Sequence, residues 1–95
     1  MISLSTHVLD TGAGEPARGV LVRVHRGEEI VSEHRTDLDG RASLGEGLDP
    51  GAYRLEFHPP SPFFRRVELE VELEDGHYHV PLLVSPYSCA SYRGS

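Results

Sequence analysis

From Val67 to Glu74 the chain alternates without a break, with Val67, Leu69, Val71 and Leu73 on one side and Glu68, Glu70, Glu72 and Glu74 on the other. Successive side chains of an extended strand leave opposite faces, so this stretch offers four aliphatic groups to a core and four carboxylates to water. A 3.6-residue helical turn would scatter the same residues around its circumference. The segment is therefore a half-buried antiparallel strand, and it sets the register in which the remaining sequence is read.

Val20, Val22 and Val24 alternate in the same way through Gly19–Arg26 and stop at Gly27, a turn former, which predicts a second strand. Shorter candidates are Leu4–Leu9, Ile30–Thr36, Tyr53–His58, His77–Val84 and Tyr87–Arg93, separated by turn chemistry such as Asp39-Gly40 and Asp49-Pro50-Gly51. No window places apolar residues at helical spacing over three turns, and Pro59-Pro60-Ser61-Pro62 would break a helix wherever it began. Seven or eight short strands in 95 residues predict one all-β domain built as a sandwich, spanning residues 1–95. A core this small gains from association with copies of itself.

The formal charge of -6, spread along the chain, argues against nucleic acid or an anionic membrane as partner and leaves a small soluble ligand or another protein. All nine basic residues are Arg, and Lys, Asn, Gln and Trp are absent, a bias that a GC-rich genome or a thermophilic host would equally produce. The single Cys89 cannot form an intramolecular disulfide and reads as a small buried hydrophobe. The first residues carry no basic start followed by a long apolar run, and no later stretch is long enough to span a membrane, so a cytoplasmic protein is expected.

His77 and His79 sit two apart and leave the same face of their strand, and His7 lies on an N-terminal strand that can neighbour it. Three converging histidines would suit zinc, yet H-x-H is a short pattern that arises easily by chance, and no metal is assigned. His77, following Asp75-Gly76, reads by itself as a surface residue at a strand start. His25, His34 and His58 have no second titratable group at an informative spacing and read as solvated. There is no Gly-x-Ser-x-Gly elbow, and Cys89 has no nearby positive residue to activate it, so covalent nucleophilic catalysis is not signalled. Glu28-Glu29 and the glutamates of Val67–Glu74 fit a solvated face better than paired catalytic carboxylates.

Leu4-Ser5-Thr6-His7-Val8-Leu9-Asp10, Asp39-Gly40-Arg41, His77-Tyr78-His79-Val80-Pro81-Leu82-Leu83, Ser85-Pro86-Tyr87-Ser88 and the ending Tyr92-Arg93-Gly94-Ser95 together resemble the transthyretin-like family over nearly the whole chain. The intact Tyr-Arg-Gly-Ser ending resembles the 5-hydroxyisourate hydrolases within it rather than the hormone-carrying transthyretins. The resemblance implies a β-sandwich of two four-stranded sheets, a homotetramer with active sites in a central channel, and no cofactor. It also implies conversion of 5-hydroxyisourate to 2-oxo-4-hydroxy-4-carboxy-5-ureidoimidazoline in urate breakdown. It makes the His79 face the channel face, with His7, Arg41 and His79 catalytic and Tyr92, Arg93, Gly94 and Ser95 at the substrate. The large Tyr92, where transthyretins hold a small residue, would make the pocket shallow and suited to a planar purine derivative. Two departures stand out: Pro59–Arg66 leaves little room for the family's short helix, and Arg26–Arg35 is compact.

Such a reaction adds water at a ring carbonyl, which calls for a base and for stabilisation of charge growing on oxygen. Imidazole, with its ordinary pKa near ~6.5, suits the first task, with His79 or His7 as the base. Guanidinium suits the second, with Arg41 and Arg93 as candidates. Each residue alone also has a plain reading, Arg41 as an exposed turn residue and Tyr92 as a packing aromatic. Two rival functions carry no catalysis: a transthyretin-like carrier with an open channel, and an interaction module that uses its sheet edges.

Overall fold

The computed structural model describes residues 1–94. Among them are ten strands and no helix: β1 (Ile2–Asp10), β2 (Glu15–Pro16), β3 (Leu21–Arg26), β4 (Glu29–Arg35), β5 (Arg41–Leu48), β6 (Gly51–Phe57), β7 (Val67–Leu73), β8 (Gly76–His79), β9 (Leu82–Ser85) and β10 (Ser88–Ser91). One sheet has the order β4-β3-β6-β7, every pairing antiparallel. The other is built around β1, which pairs in parallel with β8 and β9 and antiparallel with β5 and β2, while β10 pairs with β9. Because β8 and β9 flank successive halves of β1, and β5 and β2 do likewise, this sheet has four strand positions. The fold is the expected sandwich of two four-stranded layers.

Alternation builds the core. Ile2, Leu4, Thr6 and Val8 of β1 turn inward and are buried, facing Val22, Val24, Leu55 and Phe57 of the other sheet. Each fully buried aliphatic or aromatic side chain contributes roughly 1.5–3 kcal/mol relative to exposure. On β7 the aliphatic row packs against that core and Glu68, Glu70 and Glu72 stand in solvent, as the period of two predicts.

Three local departures from the sequence reading matter. The expected strand His77–Val84 is cut in two at Val80-Pro81, since proline has no N–H for the ladder. Thr6, buried opposite the break, donates its hydroxyl to the Val80 carbonyl at 2.6 Å, so that acceptor is not left bare. Strand β5 carried no readable pattern, because Gly45 and Gly47 interrupt it; its course follows from pairing with β1, with Leu44 left over where the register shifts between Leu4 and Ser5. And His25 is not solvated: it is buried, with Nε2 2.7 Å from Glu56, whose other oxygen lies 2.6 Å from His58 Nε2 and 3.2 Å from an Arg23 nitrogen. Glu56 and His25 come from neighbouring strands, so their spacing in sequence did not join them. His34 is half-buried, 2.8 Å from the Ser32 hydroxyl.

Candidate active site

The outer face of the β1 sheet collects the polar residues that alternate with its core. Thr6 is inward, so Ser3, Ser5 and His7 point outward; register sets Ser3 beside His77, Ser5 beside His79 and His7 beside Arg41. Three adjacent strands thus bring His7, Arg41 and His79 to one surface, β1 in the middle, although 34 and 38 positions of chain separate them. The break between β8 and β9 at Val80-Pro81 falls beside His7.

Arg41 is held by the loop that precedes it. The Asp37 carboxylate accepts the backbone N–H of Asp39 at 2.9 Å and of Arg41 at 3.0 Å, and the Asp37 N–H is donated to the Arg41 carbonyl at 2.9 Å. The Arg41 N–H, opposed by the desolvation that goes with it and helped by the Asp39 N–H, draws the Asp37 carboxyl below its ordinary value. Gly40 has φ +75°, and a Cβ there would stand 2.4 Å from the Val8 carbonyl oxygen, so the turn that aims Arg41 is open only to glycine.

His79 is half-buried, with Nδ1 2.8 Å from the Ser5 hydroxyl, and among the described residues Nε2 has no hydrogen-bond partner. Burial first, then the positive charge of Arg41, with His7 and His77 behind it, lowers the His79 pKa from its ordinary value and favours the neutral, proton-accepting imidazole. His77 is exposed as expected for a strand start, but it is not idle: its two ring nitrogens lie 2.7 Å from Ser3 Oγ and 3.1 Å from Ser5 Oγ. Among the described residues no three His, Cys, Asp or Glu side chains are arranged to hold a metal ion.

The C-terminal residues divide. Gly94 bridges to His79, donating its N–H to the His79 carbonyl at 2.7 Å. Arg93 turns to the other side of β8, its guanidinium 4.2 Å from the centre of the Tyr78 ring. Tyr92 is exposed, and with Tyr78 and Arg93 it borders a concavity of about 550 Å³ against β7. That hollow lies on the flank away from the histidines; their own surface is open in the single chain. Ser95 lies outside the described residues.

Sequence reading singled out His7, Arg41 and His79, and they converge. It passed over Ser3, Ser5 and Asp37. The alternation Ser3-Ser5-His7 against Leu4-Thr6-Val8 was the available signal for the serines; Asp37 offered none, since its role is to bond backbone in a turn.

Known proteins of similar sequence and structure identify the family. The model of the HIUase/Transthyretin family matches residues 4–94. A 5-hydroxyisourate hydrolase of Caulobacter vibrioides is 46% identical, the alignment covering all of both chains; it runs over 115 positions against 95 residues here, consistent with a shortened version of the fold. The solved structure of a Klebsiella pneumoniae 5-hydroxyisourate hydrolase superposes with a TM-score of 0.91 at 33% identity, covering all of both chains. Sea bream transthyretin in complex with thyroxine superposes with a TM-score of 0.84 at 25% identity, over 96% of this chain and 93% of its own. On its residues, its fold and its site, the chain belongs to the HIUase/Transthyretin family.

Proposed function

We infer that the chain is a 5-hydroxyisourate hydrolase, with His79, His7 and Arg41 as its catalytic residues. The observation that carries this is the meeting of the two histidines and the arginine on one face, with His79 Nδ1 engaged and Nε2 without a hydrogen-bond partner among the described residues. In the proposed reaction His79 Nε2 takes a proton from water as the water oxygen bonds to a ring carbonyl carbon. Arg41 donates to the carbonyl oxygen as negative charge gathers on it. When the tetrahedral adduct collapses, the carbon–nitrogen bond breaks and the ring nitrogen takes the proton back from His79. His7, between the two, holds the substrate and the water in line. A carrier needs none of this arrangement.

In a homotetramer of the family's kind a second copy of the chain would wall the histidine surface.

The test is the ultraviolet decay of 5-hydroxyisourate, made freshly from urate by a urate oxidase, with and without untagged protein. Catalytic acceleration at substoichiometric protein is expected, and His79→Ala or Arg41→Ala should lower turnover about 10²- to 10³-fold with the assembly intact. Near-normal turnover in both variants would remove these residues from the site. Substrate recovered unchanged from a tight complex would return the chain to the carrier reading.

A further inference from the structure

Beyond the three residues that face the reactant, the same surface carries an unbroken row of hydrogen-bonding groups. His79 Nδ1 is 2.8 Å from Ser5 Oγ, Ser5 Oγ is 3.1 Å from His77 Nε2, and His77 Nδ1 is 2.7 Å from Ser3 Oγ. It runs from a half-buried imidazole to an exposed one. A serine hydroxyl has one proton and two lone pairs, so Ser5 can donate to only one of the two histidines, and when it does so it accepts from the other. The row therefore has two matched arrangements. In one, His79 donates Nδ1–H to Ser5, Ser5 donates to His77 Nε2, and His79 Nε2 is bare, ready to act as a base. In the other both bonds of Ser5 are reversed and His79 Nε2 carries the proton, ready to act as an acid.

We propose that Ser5 and His77 are positioning residues for His79, forming a proton relay that switches His79 between its base and acid forms without leaving a positive charge on it. The proposal rests on the hydrolase reading and deepens it. As the water proton arrives at His79 Nε2, the Nδ1 proton passes to Ser5 and the Ser5 proton to His77 Nε2. His77 then carries the positive charge, exposed to solvent, its Nδ1–H still donated to Ser3. When the ring nitrogen leaves with the electron pair and takes the Nε2 proton, the two transfers reverse, so protons balance over the cycle. The groups facing His79 give the relay its purpose: Arg41 from β5, His7 from β1 and His77 from β8. An imidazolium confined beside Arg41 is disfavoured, and the relay moves the charge to His77, the exposed histidine of the three on this face.

The experiment pairs kinetics with nitrogen-15 spectra of the histidines in the whole untagged protein. Ser5→Ala should lower kcat on the order of 100-fold with KM changed by less than about 3-fold, since the loss is of proton transfer and not of binding. Ser5→Thr, which keeps the hydroxyl, should return within about 5-fold of the unaltered protein. His77→Gln, able to hydrogen-bond Ser5 but not to take a proton, should cost roughly 10-fold and flatten the pH profile of kcat. The spectra should show His79 held with Nδ1 protonated in the free protein and as a mixture of tautomers in Ser5→Ala. An unchanged kcat in Ser5→Ala, or an unchanged His79 tautomer, overturns the relay. If the unaltered protein does not hasten the decay of 5-hydroxyisourate, the hydrolase reading falls, and the tautomer comparison alone still decides whether Ser5 sets the state of His79.

Discussion

Gly94 shows how a residue without a side chain can matter to a site. A Cβ placed on it would lie 2.8 Å from His79 Cδ2 and 3.3 Å from the His79 carbonyl oxygen, closer than packed atoms sit. In Gly94→Ala either the imidazole turns, breaking its bond to Ser5, or the C-terminal segment lifts from β8 and loses its N–H bond to His79. Both moves disturb the reacting geometry while the core is untouched. Turnover should fall about 10- to 100-fold with the melting temperature nearly unchanged. Full turnover in this variant would mean that the Tyr-Arg-Gly-Ser ending does not act through contact with His79. At this scale the sequence named the residue but not its partner, because a glycine motif records that space is short and not what occupies it.

At the scale of strands, the neighbouring pair β3 and β6 turns a charged cluster into a buried one. Glu56 sits between His58, His25 and Arg23, and these partners, the His58 bond foremost, outweigh the cost of burial and draw its carboxyl from 4.5 down to about 2. A carboxyl whose folded pKa is depressed contributes stability that is present above its unfolded value and is lost as pH falls through the folded one. Glu56→Gln should therefore destabilise the protein by about 1–3 kcal/mol at pH 7, and the gap to the unaltered protein should close between pH 4.5 and about 2. Chemical denaturation at fixed protein concentration reads it; a gap that stays constant down to pH 2 would show that the network does not act through the Glu56 charge. The alternation of β3 and β6 was legible in the sequence. The cross-strand meeting of Glu56 with His25 and Arg23 was not, since it depends on which strands become neighbours.

For the molecule as a whole, the site face is a wall without a roof. The concavity beside Tyr92 and Tyr78 lies on the opposite flank, and Tyr87 and Tyr92 remain exposed. If copies of the chain supply the missing wall, light scattering at assay concentration should find about four chains per particle, and dilution into single chains should abolish turnover. Single chains with full specific activity would show that the open face suffices.

Periodicity by itself determined the class of fold: the valine and leucine rows of Val20–Val24 and Val67–Leu73 can bury one face only as strands, and no stretch offers a helix an apolar stripe. Recurrent motifs likewise marked His7, Arg41, His79 and the C-terminal residues. Tertiary structure alone decided three things. It made a strand of Arg41–Leu48, whose glycines carry no period and whose path is dictated by the edge of β1. It sent Arg93 to Tyr78 while keeping Gly94 at His79. And it joined Ser3, Ser5, His77 and His79 into one row of hydrogen bonds across 72 to 74 residues of chain. The physical reason is common to all three: a strand's faces are set by its own residues, whereas its neighbours and their register are set by how the whole core closes.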